Sequence, residues 1–172
     1  MPWPKLLIST ASYFIAIPVL VAILRYKSLG SAMKTMAVYV FLSGCIQLYS
    51  SYLSAHKQNN LWLLHIYTPL EFACIVWFYS KVLRRFISIP AFLGIGAVFA
   101  LLSVLNSAFL QGTLTFNTYA RSLEGVLVIL FCLSWCYQTL LEMKIQRLEE
   151  DPVFWVNTGF LLYFSGNVLL FV

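Results

Sequence analysis

Apolar residues dominate six stretches of the chain, each about 20 residues long and separated from the next by a short, more polar segment. A helix needs about 20 apolar residues to cross a hydrocarbon core ~30 Å thick. The pattern therefore predicts an all-α fold: a polytopic helical membrane bundle of six transmembrane helices, forming a single domain over residues 1–172. The predicted spans are 6–24, 35–55, 61–80, 89–110, 118–141 and 152–172.

Proline and aspartate positions mark where several of these helices begin or bend. Pro18 and Pro69 fall inside the first and third spans, where proline removes a backbone donor and kinks a helix. Pro90 and Pro152 fall at helix starts, where the missing donor costs nothing, and Asp151 is a good N-cap. The last span is still apolar where the sequence stops. We therefore expect either a helix that barely reaches the surface or a seven-helix fold lacking its last helix.

The composition agrees with a lipid environment. The chain is 61% hydrophobic and 17% aromatic, and only 10% of its residues are charged, against about 25% in an ordinary soluble domain. The connections are too short for a soluble domain, so any function lies in the bilayer, in these loops or on a partner. The cysteines all fall in apolar runs with neither zinc nor disulfide spacing, and we interpret them as small apolar side chains: Cys45, Cys74, Cys132 and Cys136.

The excess of basic residues indicates orientation. The net charge is +5, but Lys and Arg are scattered over short loops and form no stripe for nucleic acid. Cytoplasmic loops are enriched in Lys and Arg, which predicts a multi-pass protein of the cytoplasmic (inner) membrane with its amino terminus outside. The eight basic residues on the predicted inner side are Arg25, Lys27, Lys34, Lys81, Arg84, Arg85, Lys144 and Arg147, against Lys5 and Lys57 on the outer side.

Four ionisable residues lie inside spans, where each costs about 2.5–3.5 kcal/mol on insertion scales and so needs a reason to be there. They are His65 and Glu71 in the third span and Arg121 and Glu124 in the fifth. At ~1.5 Å per residue, Glu71 falls near the midplane of the bilayer and the other three in its outer half. Glu71 is too deep to reach the surface, so we expect it to be protonated, paired with Arg121 or exposed to a water-filled cavity.

Amide side chains extend this set to a predicted binding site. Three amides on other helices fall in the same outer half of the bilayer, whereas Asn157 falls in the inner half. Polar residues of four or five helices thus converge on one layer. We predict a polar pocket there that opens to the outer leaflet, with the binding residues His65, Glu71, Arg121, Glu124, Gln47, Asn106 and Asn167.

Helical spacing refines this picture. On an ideal helix His65 lies about 120° away from Glu71, a gap that a kink at Pro69 would narrow. Gly159 and Gly166 are seven residues apart and form a small-residue stripe that would permit close helix approach.

Each candidate also has a purely structural interpretation. Arg121 and Glu124 could form a local pair near a helix end, and His65 could be a hydrogen-bonded residue at the membrane boundary. No span contains lysine or aspartate, which excludes a retinal-type Schiff base and aspartyl intramembrane proteolysis. His65 and Glu71 alone provide too few ligands for a metal. We therefore predict no cofactor, no metal and no catalytic residues.

Four segments resemble a family of multi-pass bacterial membrane proteins with no assigned activity. The segments are NNLWLLHIYTPLEF at 59–72, FNTYARSLEG at 116–125, DPVFWVNTG at 151–159 and FSGN at 164–167. Members of that family usually continue into a seventh helix. The resemblance implies a small seven-helix-type module rather than a channel or pump, and it includes His65, Glu71, Arg121 and Glu124.

Three functions stay open from the sequence. We favour a non-enzymatic sensory module whose pocket binds a small or lipid-like ligand and whose cytoplasmic loops, especially 142–151, report occupancy to a signalling partner or a second copy. The second is a small proton-coupled transporter in which Glu71 gains and loses a proton. The third is an intramembrane lipid-modifying enzyme with His65 and Glu71 as acid and base.

Overall fold

A computed structural model of the chain describes residues 15–142 and 147–171, with the side chains of all of these but residues 170 and 171. The described residues form six α-helices joined by short turns, which confirms the predicted all-α bundle. A π-helical turn, Asn106–Leu110, extends the fourth helix. The helices are α1 (Ala16–Arg25), α2 (Ser31–Ala55), α3 (Leu61–Val82), α4 (Ile89–Leu105), α5 (Thr118–Glu142) and α6 (Pro152–Phe171).

Within the described residues, four segments are long and apolar enough to cross a membrane: α2, α3, α4 with its π-helical turn, and α5. They correspond to the spans predicted at 35–55, 61–80, 89–110 and 118–141. The first predicted span is described only from residue 15 onward, and α6 has 20 residues but is not among the four. The spans at 6–24 and 152–172 therefore stay predictions. Lys5 and Lys144, which entered the predicted orientation, lie outside the described residues.

The helix starts follow local chemistry. Asp151 caps α6 as predicted, because its Oδ1 accepts the backbone N–H of Val153 over 2.9 Å. Pro90 lies in the first turn of α4, and Pro69 lies inside α3, which continues through it. α2 begins at Ser31, four residues before the predicted boundary. The predicted span starts after Lys34 because a charged residue is unfavourable in hydrocarbon. A long lysine side chain can still lie in the first turn of a membrane helix, where its amine reaches the surface.

α3 occupies the centre of the bundle. It packs against α2, α4 and α5, while α6 packs mainly against α5. Its inner face carries the aromatic residues Phe72, Phe78 and Tyr79, each at most 1% exposed. Glu71 lies beside Phe72 on this central helix and is equally buried. The aromatic core thus places a carboxyl group in the middle of the molecule.

Large apolar side chains also cover the outside of the bundle. Leu101, Leu130 and Leu162, from three different helices, are each more than half exposed. A soluble monomer rarely exposes apolar patches larger than a few hundred Å². This surface is therefore consistent with contact with lipid.

The close approach of α5 and α6 occurs at Gly125. A Cβ atom at Gly125 would lie 2.5 Å from Val168 Cγ2, closer than real Cβ contacts. Cβ atoms at Gly159 and Gly166 would meet nothing within 4 Å in the described part of the chain. The predicted close approach at these two glycines is not found among the described residues, where both lie on an exposed side of α6.

Candidate functional site

Three charged side chains from α3 and α5 meet inside the bundle and form what we term the charge triad: Glu71, Arg121 and Glu124. Arg121 Nη1 lies 2.5 Å from Glu71 Oε2 and 3.4 Å from Glu124 Oε2. The side chains of Glu71 and Glu124 are 1% and 0% exposed, and that of Arg121 is 17% exposed. Of the three states left open by the sequence, the structure shows Glu71 paired with Arg121.

Two tyrosines complete the surroundings of Glu71. Tyr39 on α2 donates its hydroxyl hydrogen to Glu71 Oε1 over 2.8 Å, so both oxygens of this carboxylate are used. The Tyr67 ring centroid lies 5.7 Å from Arg121 Cζ, and its hydroxyl lies 2.9 Å from Ser43 Oγ. This link to α2 is not among the contacts predicted from the sequence. The signal was a matching spacing of four, between Tyr39 and Ser43 and between Tyr67 and Glu71, which puts each pair on one helix face.

Glu124 is the less completely paired acid of the triad. Its Oε1 has no hydrogen-bond partner among the described residues. Two ionised carboxylates around one guanidinium would leave a net negative charge at a fully buried position, which is costly. One proton removes that charge, and Glu71 already accepts hydrogen bonds from Arg121 and Tyr39. The arrangement therefore favours a proton on Glu124.

A cavity of about 440 Å³ adjoins the triad between α2, α3, α5 and α6. Both ion pairs of Arg121 use Nη1, and its Nε and Nη2 form no hydrogen bond within the described ranges. A guanidinium has five N–H donors, so Arg121 presents unused donors to this space. The lining also includes Ile15, Ser43, Ile46, Gln47, Ser50, Asn60, Leu61, Leu63, Leu64, Tyr67, Phe116 and Tyr163.

A second polar cluster attaches the connection between α4 and α5 to α3. The carbonyl oxygen of Thr115 can only accept, so His65 Nε2–H donates to it over 3.0 Å. His65 Nδ1 lies 2.7 Å from Ser107 Oγ, and the Ser107 hydroxyl donates to the Ser103 carbonyl oxygen over 2.9 Å. Both ring nitrogens are therefore within hydrogen-bond distance of the α4–α5 region, and the contacts give His65 the role of holding a loop.

Two asparagines support the same connection. Asn106, at the start of the π-helical turn, donates to Asn117 Oδ1 over 2.9 Å, and Asn117 donates to Thr68 Oγ1 on α3 over 3.3 Å. Asn106 also contacts Gln111 Oε1 over 3.2 Å. These bonds fix the chain between residues 106 and 118 against α3.

The predicted binding residues are thus divided among different places. Gln47 and Arg121 line the cavity, and Glu71 and Glu124 contact Arg121 without lining it. These four residues form the candidate site as the structure describes it.

His65 and Asn106 belong to the loop-holding cluster, and Asn167 on α6 is half-buried with no polar contact to the other six in the part of the chain described. The prediction of one continuous pocket is corrected on this point. His65 and Glu71 bond in different directions from α3, and Pro69 does not bring them together.

A third polar cluster joins α3, α5 and α6. The Tyr79 hydroxyl donates to Asn157 Oδ1 over 2.7 Å and lies 3.1 Å from Cys132 Sγ. Asn157 Nδ2 lies 3.5 Å from Cys136 Sγ. The interpretation of these two cysteines as apolar fillers is therefore incomplete, because their sulfurs take part in hydrogen bonding. All four cysteines are free thiols. The described residues contain no group of three His, Cys, Asp or Glu side chains that could hold a metal.

Comparison of the chain with protein-family models, with curated proteins and with solved structures finds no match. The resemblance to a seven-helix-type bacterial family therefore stays a prediction. The case for a function depends on the geometry of the triad and its cavity.

Proposed function

We propose that this chain is a ligand-binding sensory protein of the cytoplasmic membrane, with six spans and its amino terminus outside. One observation carries the proposal: Arg121 is held between two buried carboxylates, while its Nε and Nη2 donors bond to none of the described residues and lie beside a cavity of about 440 Å³. Buried polar groups in proteins nearly always have a hydrogen-bond partner. A ligand that brings oxygen acceptors to Arg121 would provide one.

The cavity wall indicates an amphipathic ligand. Ser43, Gln47 and Tyr67 accompany Arg121, while Ile46 and Leu64 are part of the apolar lining. Its volume lies within the ~300–1,000 Å³ of typical ligand sites. We infer a small or lipid-like molecule whose carbonyl, hydroxyl or carboxylate oxygen accepts from the guanidinium and whose hydrocarbon part contacts the apolar wall.

The triad also offers a route from ligand to signal. Arg121 on α5 is bonded to α3 through Glu71, which is bonded to α2 through Tyr39. An oxygen ligand that competes for Arg121 would change the balance of contacts among these helices. α5 runs on to Glu142, which pairs with Arg85 over 3.3 Å, so the segment 142–151 is where a cytoplasmic partner or a second copy would sense the change.

The test measures thermal unfolding of the full chain in detergent with decanoate and with decanol, an anionic and a neutral probe. Occupancy at 100 times Kd raises stability by about 2.7 kcal/mol. We expect at least one probe to raise the Tm of the unaltered protein. Leu64→Trp, which fills the cavity, and Arg121→Lys, which loses the planar donor set, should abolish that rise. The matched control Leu130→Trp, on the exposed face, should keep it.

Two outcomes would contradict the proposal. The first is that neither probe stabilises the unaltered protein. The second is that Leu64→Trp and Leu130→Trp respond equally, which would assign the effect to the outer surface of the bundle.

Proton-coupled transport is a second candidate, favoured by Oε1 of Glu124, which has no hydrogen-bond partner in the described ranges. This atom makes Glu124, rather than Glu71 as the sequence suggested, the residue that would release and recover a proton. In proteoliposomes filled with a pH-sensitive dye, Glu124→Gln should abolish a potential-driven proton flux that the exposed control Glu150→Gln retains. Absence of flux in the unaltered protein removes this candidate.

A lipid-modifying activity of His65 with Glu71 gains no support from the contacts. Both nitrogens of His65 and both oxygens of Glu71 are bonded to other groups. No hydrogen bond joins the two residues.

A further inference from the structure

A groove of about 510 Å³ runs between α3 and α4, away from the charge triad. Its walls are apolar along most of its length, with small side chains on α4 that leave room for a chain of methylene groups. Basic residues, Lys81 and Arg84, line it beside Ser80 and Trp77. The apolar residues that define the slot include Ala73, Val76, Leu93, Gly96, Ala97 and Ala100.

Among the described residues, no acidic side chain pairs with the basic residues of this groove. Lys81 Nζ donates to the backbone carbonyl of Ser31 over 2.8 Å and lies 4.7 Å from the centroid of the Trp77 ring. Arg84 and Lys34 are its charged neighbours. None of these three cations forms an ion pair in the described ranges. The ion pairs found there involve other basic residues.

Neighbouring basic residues show the contrast. Arg85 pairs with Glu142 over 3.3 Å, and Arg147 pairs with Glu150 over 2.7 Å. The positive charges at the groove are therefore not paired with described acids, whereas those of Arg85 and Arg147 are.

The geometry points to an anionic phospholipid as the occupant of this groove. Its phosphate would accept hydrogen bonds from Arg84 and Lys81, and one acyl chain would lie in the slot formed by Ala97 and its neighbours. Basic pockets between membrane helices bind anionic headgroups for this reason. A zwitterionic lipid would fill the same slot, but its headgroup brings a positive charge of its own to the cations.

The preference has a measurable size. Each Lys or Arg near an anionic headgroup contributes about fivefold in affinity. Arg84 is the better residue to change, because it is exposed and makes no bond that holds two helices together, whereas Lys81 reaches α2.

The experiment titrates the full-length protein in detergent with phosphatidylglycerol and with phosphatidylcholine, and counts bound lipids by native mass spectrometry. We expect tighter binding of phosphatidylglycerol, a loss of about fivefold on Arg84→Gln, and no loss on the control Lys57→Gln, which removes the same charge between α2 and α3. Ala97→Phe, at an exposed position in the slot, should weaken binding of both lipids.

Several results would overturn the assignment. Equal binding of the two lipids by the unaltered protein would show that charge does not select the occupant. Equal losses on Arg84→Gln and Lys57→Gln would show only a response to net charge. Unchanged binding on Ala97→Phe would show that the acyl chain does not lie in this groove.

Discussion

Arg121 is the residue whose contacts explain the candidate site. It forms ion pairs with two acids through one nitrogen, lies over the ring of Tyr67, and still has donors to spare. An isolated charge in an apolar interior is very costly, and only close, well-directed partners offset that cost. The two acids are unequal partners, since Glu71 makes the shorter contact and also accepts from Tyr39.

This inequality predicts different effects for two similar substitutions. Glu71→Gln should destabilise the protein by about 3–5 kcal/mol, because it removes the main partner of a buried cation. Glu124→Gln should change stability by less than about 1 kcal/mol, because an amide resembles the protonated acid and can still accept from Arg121. Unfolding in graded SDS measures both.

Glu150→Gln is the control for this pair of variants, because Glu150 is 65% exposed and its ion pair with Arg147 is on the surface. It should have no measurable effect. Equal losses for Glu71→Gln and Glu124→Gln would refute the proton placed on Glu124.

At this scale the sequence identified the charged residues and the amide of Gln47, and missed the neutral hydroxyl groups that contact them. Glu71, Arg121 and Glu124 stand out because ionisable groups are rare and costly in apolar runs. Tyr39 and Ser43 do not stand out, because tyrosine and serine are common in membrane helices and their partners depend on helix rotation. The sequence predicts His65 as a binding residue because it is ionisable, but its contacts attach the connection between α4 and α5 to α3.

At the scale of elements, α5 and α6 form the tightest packing against a glycine. A Cβ atom at Gly125 would overlap Val168, whereas Gly159 and Gly166 are exposed. Small residues allow membrane helices to approach, but spacing alone does not reveal which side of a helix has a neighbour. Within the described part of the chain, the predicted kind of contact is therefore found at Gly125 and not at Gly159 or Gly166.

A pair of alanine substitutions tests this packing. Gly125→Ala should destabilise the protein by about 1–3 kcal/mol, because the added methyl group must displace Val168. Gly159→Ala should be neutral or stabilising by up to about 1 kcal/mol, because alanine favours helix and meets open space. Unfolding in SDS measures both changes in stability. A larger loss for Gly159→Ala than for Gly125→Ala would show that α6 presents a different face to α5.

At the scale of the whole molecule, hydropathy predicted a helical bundle and the positions of its four long apolar helices. It did not predict that the polar residues form three clusters. The position of a residue along a helix gives its depth in the membrane but not the neighbouring helix that its side chain faces. The clusters follow from how each helix is rotated: α3 directs Glu71, His65 and Tyr79 to three different sets of partners.

The proposed orientation has its own test in whole cells. With the amino terminus outside, Lys57→Cys between α2 and α3 should react with a membrane-impermeant maleimide, and Lys27→Cys between α1 and α2 should not. The unaltered chain, with its four native thiols, provides the background. Labelling of Lys27→Cys alone would reverse the orientation, and labelling of both in intact cells would exclude six spans arranged as proposed.

The most direct measurement is the coupling between Glu71 and Arg121 in a double-mutant cycle. Glu71→Gln, Arg121→Gln and the double variant are unfolded in SDS beside the unaltered protein. If the two side chains form the buried pair described, the double variant loses less than the sum of the single losses, with a coupling of about 1–3 kcal/mol. If the single losses add to within ~0.5 kcal/mol, the two residues do not interact, and the account of the site is contradicted.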